Sequence, residues 1–312
     1  MQRILPRGEI EGLDHTAIPR WRLPDHATIF RDRAARLREL APGHAIEAYL
    51  HLMADLAQAQ HQVLATLTLP AVPQPRLAAA QAHGMPPLSM ADWPRDPVWR
   101  KVLDQLLQTL LAQPGMAPQA CAALQALAEQ AHEQPDALEA AADRLLAESP
   151  VGLDPAAAPF VMAALQVYWT RMACDFDAHD LPVVTPSGVC PLCGSLPVSS
   201  VVRVGGAADG CRYLCCGLCA TEWHMVRVTC SHCQSTEGIA YHAIESGPQG
   251  IKAESCDQCH VYRKIFYQEH QLAADPVADD LASLPLDILM GEQGFERASG
   301  NPLLWQGDTE PA

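Results

Sequence analysis

The sequence predicts an α+β protein: an N-terminal all-α helical domain, then two tandem β modules each built on four cysteines, then a C-terminal helix. Three observations carry this. Apolar residues recur at helical spacing, punctuated by proline and glycine, from Asp25 to about Cys174. Near residue 180 that period stops and short alternating runs begin. Ten of the 12 cysteines lie between Cys190 and Cys259, eight of them in Cys-x-x-Cys pairs.

The composition permits a folded core. The chain has 312 residues, 49% hydrophobic and 18% charged, a balance that excludes intrinsic disorder as the main state and suits about two domains. The net charge of -15 argues against a nucleic-acid or membrane-surface binder, which needs a basic face.

Residues 1–22, with Pro6 and Pro19, read as an irregular arm. Phe30, Ala34, Leu37 and Ala41 then mark a first helix, ended by Pro42-Gly43. Ile46, Leu50, Met53 and Ala57 start a second, running to about Leu67. Proline-rich text follows (Pro70, Pro73, Pro75, later Pro86-Pro87), in which no helix is marked. Trp99, Leu103, Leu106 and Leu110 mark a third helix, stopped by Pro114-Gly115. Alanine-rich helices are expected near 118–132 and 136–148, each with proline near its start, where the missing N–H costs nothing. Asp154 is expected to cap a last helix, with Pro155 at its first position, reaching Cys174. The stretch 158–169 is too short for a membrane span. No nucleotide loop, catalytic triad or paired-carboxylate motif stands out in this helical region, and no catalytic residues are assigned.

The runs at 198–204 and 223–228 read as strands bounded by glycine, and six of the chain's 17 aromatics lie between Tyr213 and Tyr267. After the cysteines, Asp275-Pro276 opens a helix with Asp279 and Asp280 where the helix dipole favours negative charge. Leu281, Leu284 and Ile288 give its apolar face, Pro285 should kink it, and Gly291 suits its stop. The expected units are therefore 1–182 (helical), 183–226 and 227–270 (the two modules) and 271–312 (C-terminal helix and tail).

The four pairs are Cys190/Cys193, Cys216/Cys219, Cys230/Cys233 and Cys256/Cys259. Adding 40 to each cysteine of the first two pairs lands on a cysteine of the last two, a short internal repeat. Two residues between cysteines let both sulfurs face one ion, and two such knuckles joined by a β-hairpin complete a tetrahedral four-sulfur site. The eight cysteines are therefore read as ligands of two metal ions, in rubredoxin-like or zinc-ribbon-like modules whose small cores rely on the metal for folding. Four thiolates leave no open position, which favours a structural role, and both iron and zinc accept such a site. Gly194 follows the first knuckle and suits a tight turn; Ala220, Gln234 and His260 hold the same place in the others, a looser match.

Cys211 and Cys215 fall outside the repeat. Cys215 shifts onto Ser255, so Cys216 is the better ligand, with exchange between the two left open. Cys121 and Cys174 read as core thiols. His232 and His260 read as neighbours of the sites or solvent-facing groups, and Trp223 and His224 as packing over the module. Residues 190–267 hold six Lys/Arg and six Asp/Glu, too few cations for a ribbon that grips phosphates. The start MQRILPRGEIEG has no apolar export segment, which predicts the reducing cytosol, where disulfides seldom persist.

The segments CRYLCCGLCATEWHMVRVTCSHC, IKAESCDQCHVYRKIF and DPVADDLASLPLDILMGEQGF resemble the formate dehydrogenase accessory protein FdhE family, as does, less specifically, IFRDRAARLRELAPGHAIEAYL. The resemblance covers nearly the whole chain. It implies a cytoplasmic maturation factor, not an enzyme, required for active respiratory formate dehydrogenase and contacting its catalytic subunit before export. It also implies two rubredoxin-like modules associated with iron, with Cys190, Cys193, Cys216, Cys219, Cys230, Cys233, Cys256 and Cys259 as the ligands. The doubled Cys215-Cys216 departs from the family pattern.

Overall fold

The computed structural model describes residues 18–149, 151–184, 187–245 and 247–305; most of the expected N-terminal arm lies outside them. Seven helices come first: α1 (Ile29–Leu40), α2 (Glu47–Thr66), α3 (Gln74–His83), α4 (Val98–Leu111), α5 (Pro118–Glu133), α6 (Pro135–Leu146) and α7 (Ala158–Cys174). Helix α7 is buried almost all round, from Ala158 to Ala173, as a helix at the centre of a bundle must be. Around it, α2 and α4 bury stripes headed by Leu50, Met53, Leu103 and Leu106.

Three local readings are corrected. The proline-rich text around Pro73 and Pro75, where the sequence marks no helix, contains α3, because Pro75 falls in the first turn, where its missing N–H has no partner to lose. That helix ends on Gly84, whose φ of 61° closes the last turn. Asp154 does not cap α7 directly. Its carboxylate accepts from the Ala156 amide at 2.9 Å and its carbonyl from Ala158, so one separate turn precedes the helix. Cys121 and Cys174 are half-buried, not core residues.

The strands are β1 (Trp21–Arg22), β2 (Pro197–Val202), β3 (Arg212–Cys216), β4 (Glu222–His224), β5 (Ile239–His242), β6 (Ile251–Cys256), β7 (Val261–Tyr267) and β8 (Glu296–Arg297). The end of the expected irregular arm is thus a strand, and the run at 223–228 is strand only as far as His224. The 40-residue repeat is visible in the fold. Strands β2-β3-β4 form one antiparallel meander and β5-β6-β7 another. The two merge into a single sheet of order β1-β4-β3-β2-β7-β6-β5 through the parallel pairing of β2 with β7, Ser200 opposite Ile265. The first strand of one repeat therefore meets the last strand of the other.

The C-terminal helix is two helices, α8 (Ala278–Ala282) and α9 (Leu284–Glu292). Pro285 does not kink a continuous helix; the chain breaks at Ser283, and Lys264 Nζ takes up freed groups there, donating to the Asp280 carbonyl at 2.7 Å and to Ser283 Oγ at 3.0 Å. The stop is not Gly291 but Gly294, in the left-handed region at φ 81°. Asp279 and Asp280 do more than complement a dipole. Arg36 of α1 pairs with Asp279 at 2.6 Å, Arg33 with Asp275 at 3.2 Å, and Asp280 meets both Lys264 (3.3 Å) and Arg297. This segment clamps the first helix and the sheet together.

Candidate metal centres

The structure brings the eight repeat cysteines together in two groups of four, with the sulfurs of each group all within 4.8 Å of one another. In the first, Cys190 and Cys219 Sγ are 3.6 Å apart and Cys193 and Cys216 3.4 Å. In the second, both pairs, Cys230 with Cys259 and Cys233 with Cys256, are at 3.7 Å. A regular tetrahedron with metal–sulfur bonds of about 2.3 Å has sulfurs about 3.8 Å apart, so the donor set and its spacing fit one Zn or Fe ion per group.

The knuckles are made by their backbones. In the first, the Cys190 amide donates to the Ser195 carbonyl and Gly194 N–H to the Cys190 carbonyl, both at 2.9 Å. Forty residues on, Cys230 bonds Ser235 at 2.8 Å and Gln234 bonds Cys230 at 3.0 Å. The residue after every knuckle takes a left-handed φ: Gly194 78°, Ala220 59°, Gln234 64°, His260 55°. Only glycine does so without strain, so the looser sequence match at three knuckles conceals one shared conformation. The turn also aims amides at sulfur: Leu218 and Cys219 N–H each lie 3.3 Å from Cys216 Sγ, and His232 and Cys233 N–H each 3.4 Å from Cys230 Sγ.

The sulfurs differ in their hold on protons. Burial pushes Cys190 and Cys193 well above the usual thiol range. Burial opposes the Cys216 thiolate too, but hydrogen bonds from Cys190, Cys193, Cys219 and the Cys219 amide outweigh it and hold Cys216 well below that range. In the second group a backbone hydrogen bond at Ser235 lowers Cys233, while burial raises Cys259 to about 12. Coordination by a cation would displace the remaining protons, so binding would strengthen as pH rises.

The two groups sit in different surroundings. Cys190, Cys193, Cys216 and Cys219 belong to the same apolar core as the helical bundle. Helical-domain groups hold both of their knuckles. Leu88 and Met90 amides donate to the Leu192 and Cys193 carbonyls at 2.9 Å, and Gln166 Nε2 donates to the Gly217 carbonyl at 2.6 Å. Gln166 is itself fixed by Gln60 at 3.0 Å. The second group lies in a module with a small core of its own, Ala253, Tyr262, Leu286 and Met290; Cys230 and Cys256 are buried, but Cys233 is exposed and Cys259 half-buried.

The remaining expected residues can now be placed. Adjacent residues of a strand face opposite ways, so Cys216 joins the first group while Cys215 points away, buried beside Arg203 and Glu222. Cys211 lies half-buried in the β2–β3 hairpin, its Sγ 3.6 Å from the Asp209 carbonyl. His232 and His260 are exposed, and Trp223 packs over the first module with its Nε1 on the Ser187 carbonyl at 2.8 Å. Sequence reasoning missed Gln166, Leu88 and Met90, which hold the first centre from a distance in the chain that no local spacing reveals. Among the described residues no helix is long and apolar enough to cross a membrane.

Family profiles match along the chain: FdhE N-terminal over residues 18–185, FdhE central domain over 189–227 and FdhE C-terminal domain over 228–304. The "Protein FdhE homolog" of Cronobacter sakazakii is 41% identical over 312 residues, 99% of each chain, and that of Edwardsiella ictaluri is 42% identical over 287 residues, 92% of this chain and 91% of its own. The crystal structure of the FdhE protein from Pseudomonas aeruginosa is 37% identical and superposes with a TM-score of 0.79 over 93% of this chain and 100% of that one. On this evidence, spanning both cysteine repeats and the helical bundle, the chain belongs to the FdhE family.

Proposed function

We propose that this protein is a non-catalytic maturation factor for respiratory formate dehydrogenase. It acts in the cytoplasm by binding the enzyme's catalytic subunit, and it carries one metal ion in each four-cysteine centre. The observation that supports this best is the pair of preformed four-sulfur groups inside a chain of this family. The ligands are Cys190, Cys193, Cys216 and Cys219 in the first centre, and Cys230, Cys233, Cys256 and Cys259 in the second. The working units are the helical domain to residue 182, the modules 183–226 and 227–270, and the segment from 271. When bound, the ion supplies cross-linking of the knuckles and, if it is iron, a one-electron couple without change of ligands.

The charge pattern supports a protein partner over nucleic acid. Of the six bases in the modules, Arg212, Arg263 and Lys264 are buried and Arg203 is paired with Glu222. No basic stripe is left to release counterions from phosphates.

Deleting the gene should leave formate dehydrogenase polypeptide present but inactive, and normal activity in the deletion strain would refute the role. Co-purification from cells grown on formate, with metal analysis of the same sample, identifies both partner and ion. A redox role for the second centre draws support from the exposure of Cys233. Stoichiometric zinc, with no thiolate-to-iron absorption after anaerobic purification, would rule it out.

A further inference from the structure

Among the described residues, buried cations pair directly with carboxylates, with one exception. Arg212 has Glu254 at 2.7 Å, Lys264 has Asp287 at 2.6 Å, and Arg36 has Asp279 at 2.6 Å. Arg263, on β7 and 4% exposed, has neutral partners. Its Nε donates to Ser231 Oγ at 2.8 Å, and its Nη1 donates to Ser299 Oγ at 2.8 Å and to the Pro197 carbonyl. Among the described residues no carboxylate pairs with it directly. Burial and the like charges of Arg212 and Arg297 push its guanidinium down to about 9, and the opposing charges of Glu148 and of Cys230, neither in contact with it, only partly offset them. A buried charge without a direct counter-ion is costly, on the order of the loss when one partner of a buried pair is deleted.

The partners show where the missing negative charge belongs. Ser231 lies inside the third knuckle, between ligands Cys230 and Cys233. Pro197 opens β2 directly behind the first knuckle, and Ser299 Oγ also donates to its carbonyl, at 2.6 Å. The two modules touch at this place. A Cβ on Gly188, two residues before Cys190, would lie 2.4 Å from the Ser231 carbonyl oxygen, so only glycine permits the approach. One guanidinium thus holds groups from both knuckle regions. A divalent ion with four thiolates carries a formal charge of about -2, and the guanidinium is bonded to the third knuckle and to the start of the strand that follows the first.

We propose that Arg263 is the shared counter-ion of the two tetrathiolate centres, a positioning residue that ligates neither ion yet strengthens the binding of both. This rests on the metal-binding reading above. Its balancing anions arrive with the metal, so the loaded protein relieves a charge imbalance that the metal-free protein must carry.

The test is zinc titration of the full-length metal-free protein against a chromogenic chelator, for the natural protein, Arg263→Gln and Arg263→Lys. The natural protein should take two zinc ions. Arg263→Gln should weaken both by about tenfold or more, and Arg263→Lys, which keeps the charge, should recover most of that. Denaturation midpoints of metal-free and loaded forms separate this from a simple staple. Arg263→Gln should lower the loaded midpoint more than the metal-free one, whereas equal lowering with unchanged zinc affinity would overturn the proposal. If Arg263→Gln does not fold, Ser231→Ala, which frees Nε from the third knuckle, should weaken zinc at the second centre several-fold; unchanged affinity there would equally overturn it. A natural protein that takes up no zinc or iron would instead refute the metal-binding reading itself.

Discussion

The two four-cysteine groups have the same spacing, the same knuckle backbone and nearly the same sulfur separations, yet they live in different solvents. The first is sealed inside the helical core, and its cysteines are at most 2% exposed. The second stands on a small core of its own, with Cys233 open to water. Identical ligand chemistry therefore need not mean identical work. A centre continuous with the main core ties its ion to global stability, whereas one on a peripheral core opens by local fluctuation. On the proposed metal-binding reading, the first centre would hold the fold together and the second would exchange with what is outside.

The largest test of that difference is to break each centre in turn. Cys190→Ser should lower the melting temperature of the whole chain by the equivalent of about 3–5 kcal/mol, followed by circular dichroism. Cys233→Ser should lose one metal equivalent while the helical signal melts almost as before. Equal destabilisation by both would erase the distinction. In the natural protein, a chelator should draw out metal in two phases, and the faster phase should vanish in Cys233→Ser.

Next in size is the clamp that holds the second module to the rest. Burial disfavours the Asp280 carboxylate, but Arg297, Lys264 and Asn301 together hold it below the usual carboxylate range. A group depressed in the folded state adds stability above its unfolded value of about 3.9, and that stability is lost as pH falls through its folded value. Asp280→Asn should cost about 3–5 kcal/mol at neutral pH and flatten the acid limb of a stability–pH curve. An unchanged acid limb would show that Asp280 does not supply it.

A smaller effect is expected at Gln166. Its replacement by alanine strands the Gly217 carbonyl and removes one of the two acceptors of Gln60 Nε2, costing about 1–3 kcal/mol and loosening metal at the first centre only. Metal analysis after mild chelation would show the asymmetry reversed or reduced. The smallest effect should come from His260→Gly, which relieves a left-handed φ of 55° and should stabilise the second module by up to about 1 kcal/mol. Destabilisation would mean that the contact of the His260 ring with Phe295, centroids 6.2 Å apart, outweighs the backbone strain.

Much of this was legible in the sequence, and the reasons separate cleanly. The helices around Phe30, Leu50 and Trp99 were readable because their apolar faces repeat locally, and the eight cysteines because a knuckle is a local structure with a fixed spacing. The shift by 40 picked Cys216 over Cys215, and strand alternation places them as it suggested. Helix α3 was hidden because proline near a helix start looks like proline in a loop. The unequal burial of the centres was not legible, since it depends on Gln166 and Leu88, more than 20 residues from any cysteine they hold. Nor was the clamp at Asp279 and Asp280, where two adjacent acids suit a helix start equally well whether or not arginines await them.

That clamp has a consequence for how the protein is made. The Arg36–Asp279 pair closes a span of 243 residues, and Arg33–Asp275 one of 242. At about 5–20 residues per second, translation leaves α1 without its partners for roughly ten to fifty seconds. Long-range closures of this kind form late because their loop entropy must be met first. During synthesis the first helix therefore waits with Arg33 unpaired and Arg36 held only by Glu39 of its own helix, and the nascent chain is cationic at a place where the finished protein is neutral. Completion of the C-terminal segment is what ends that state.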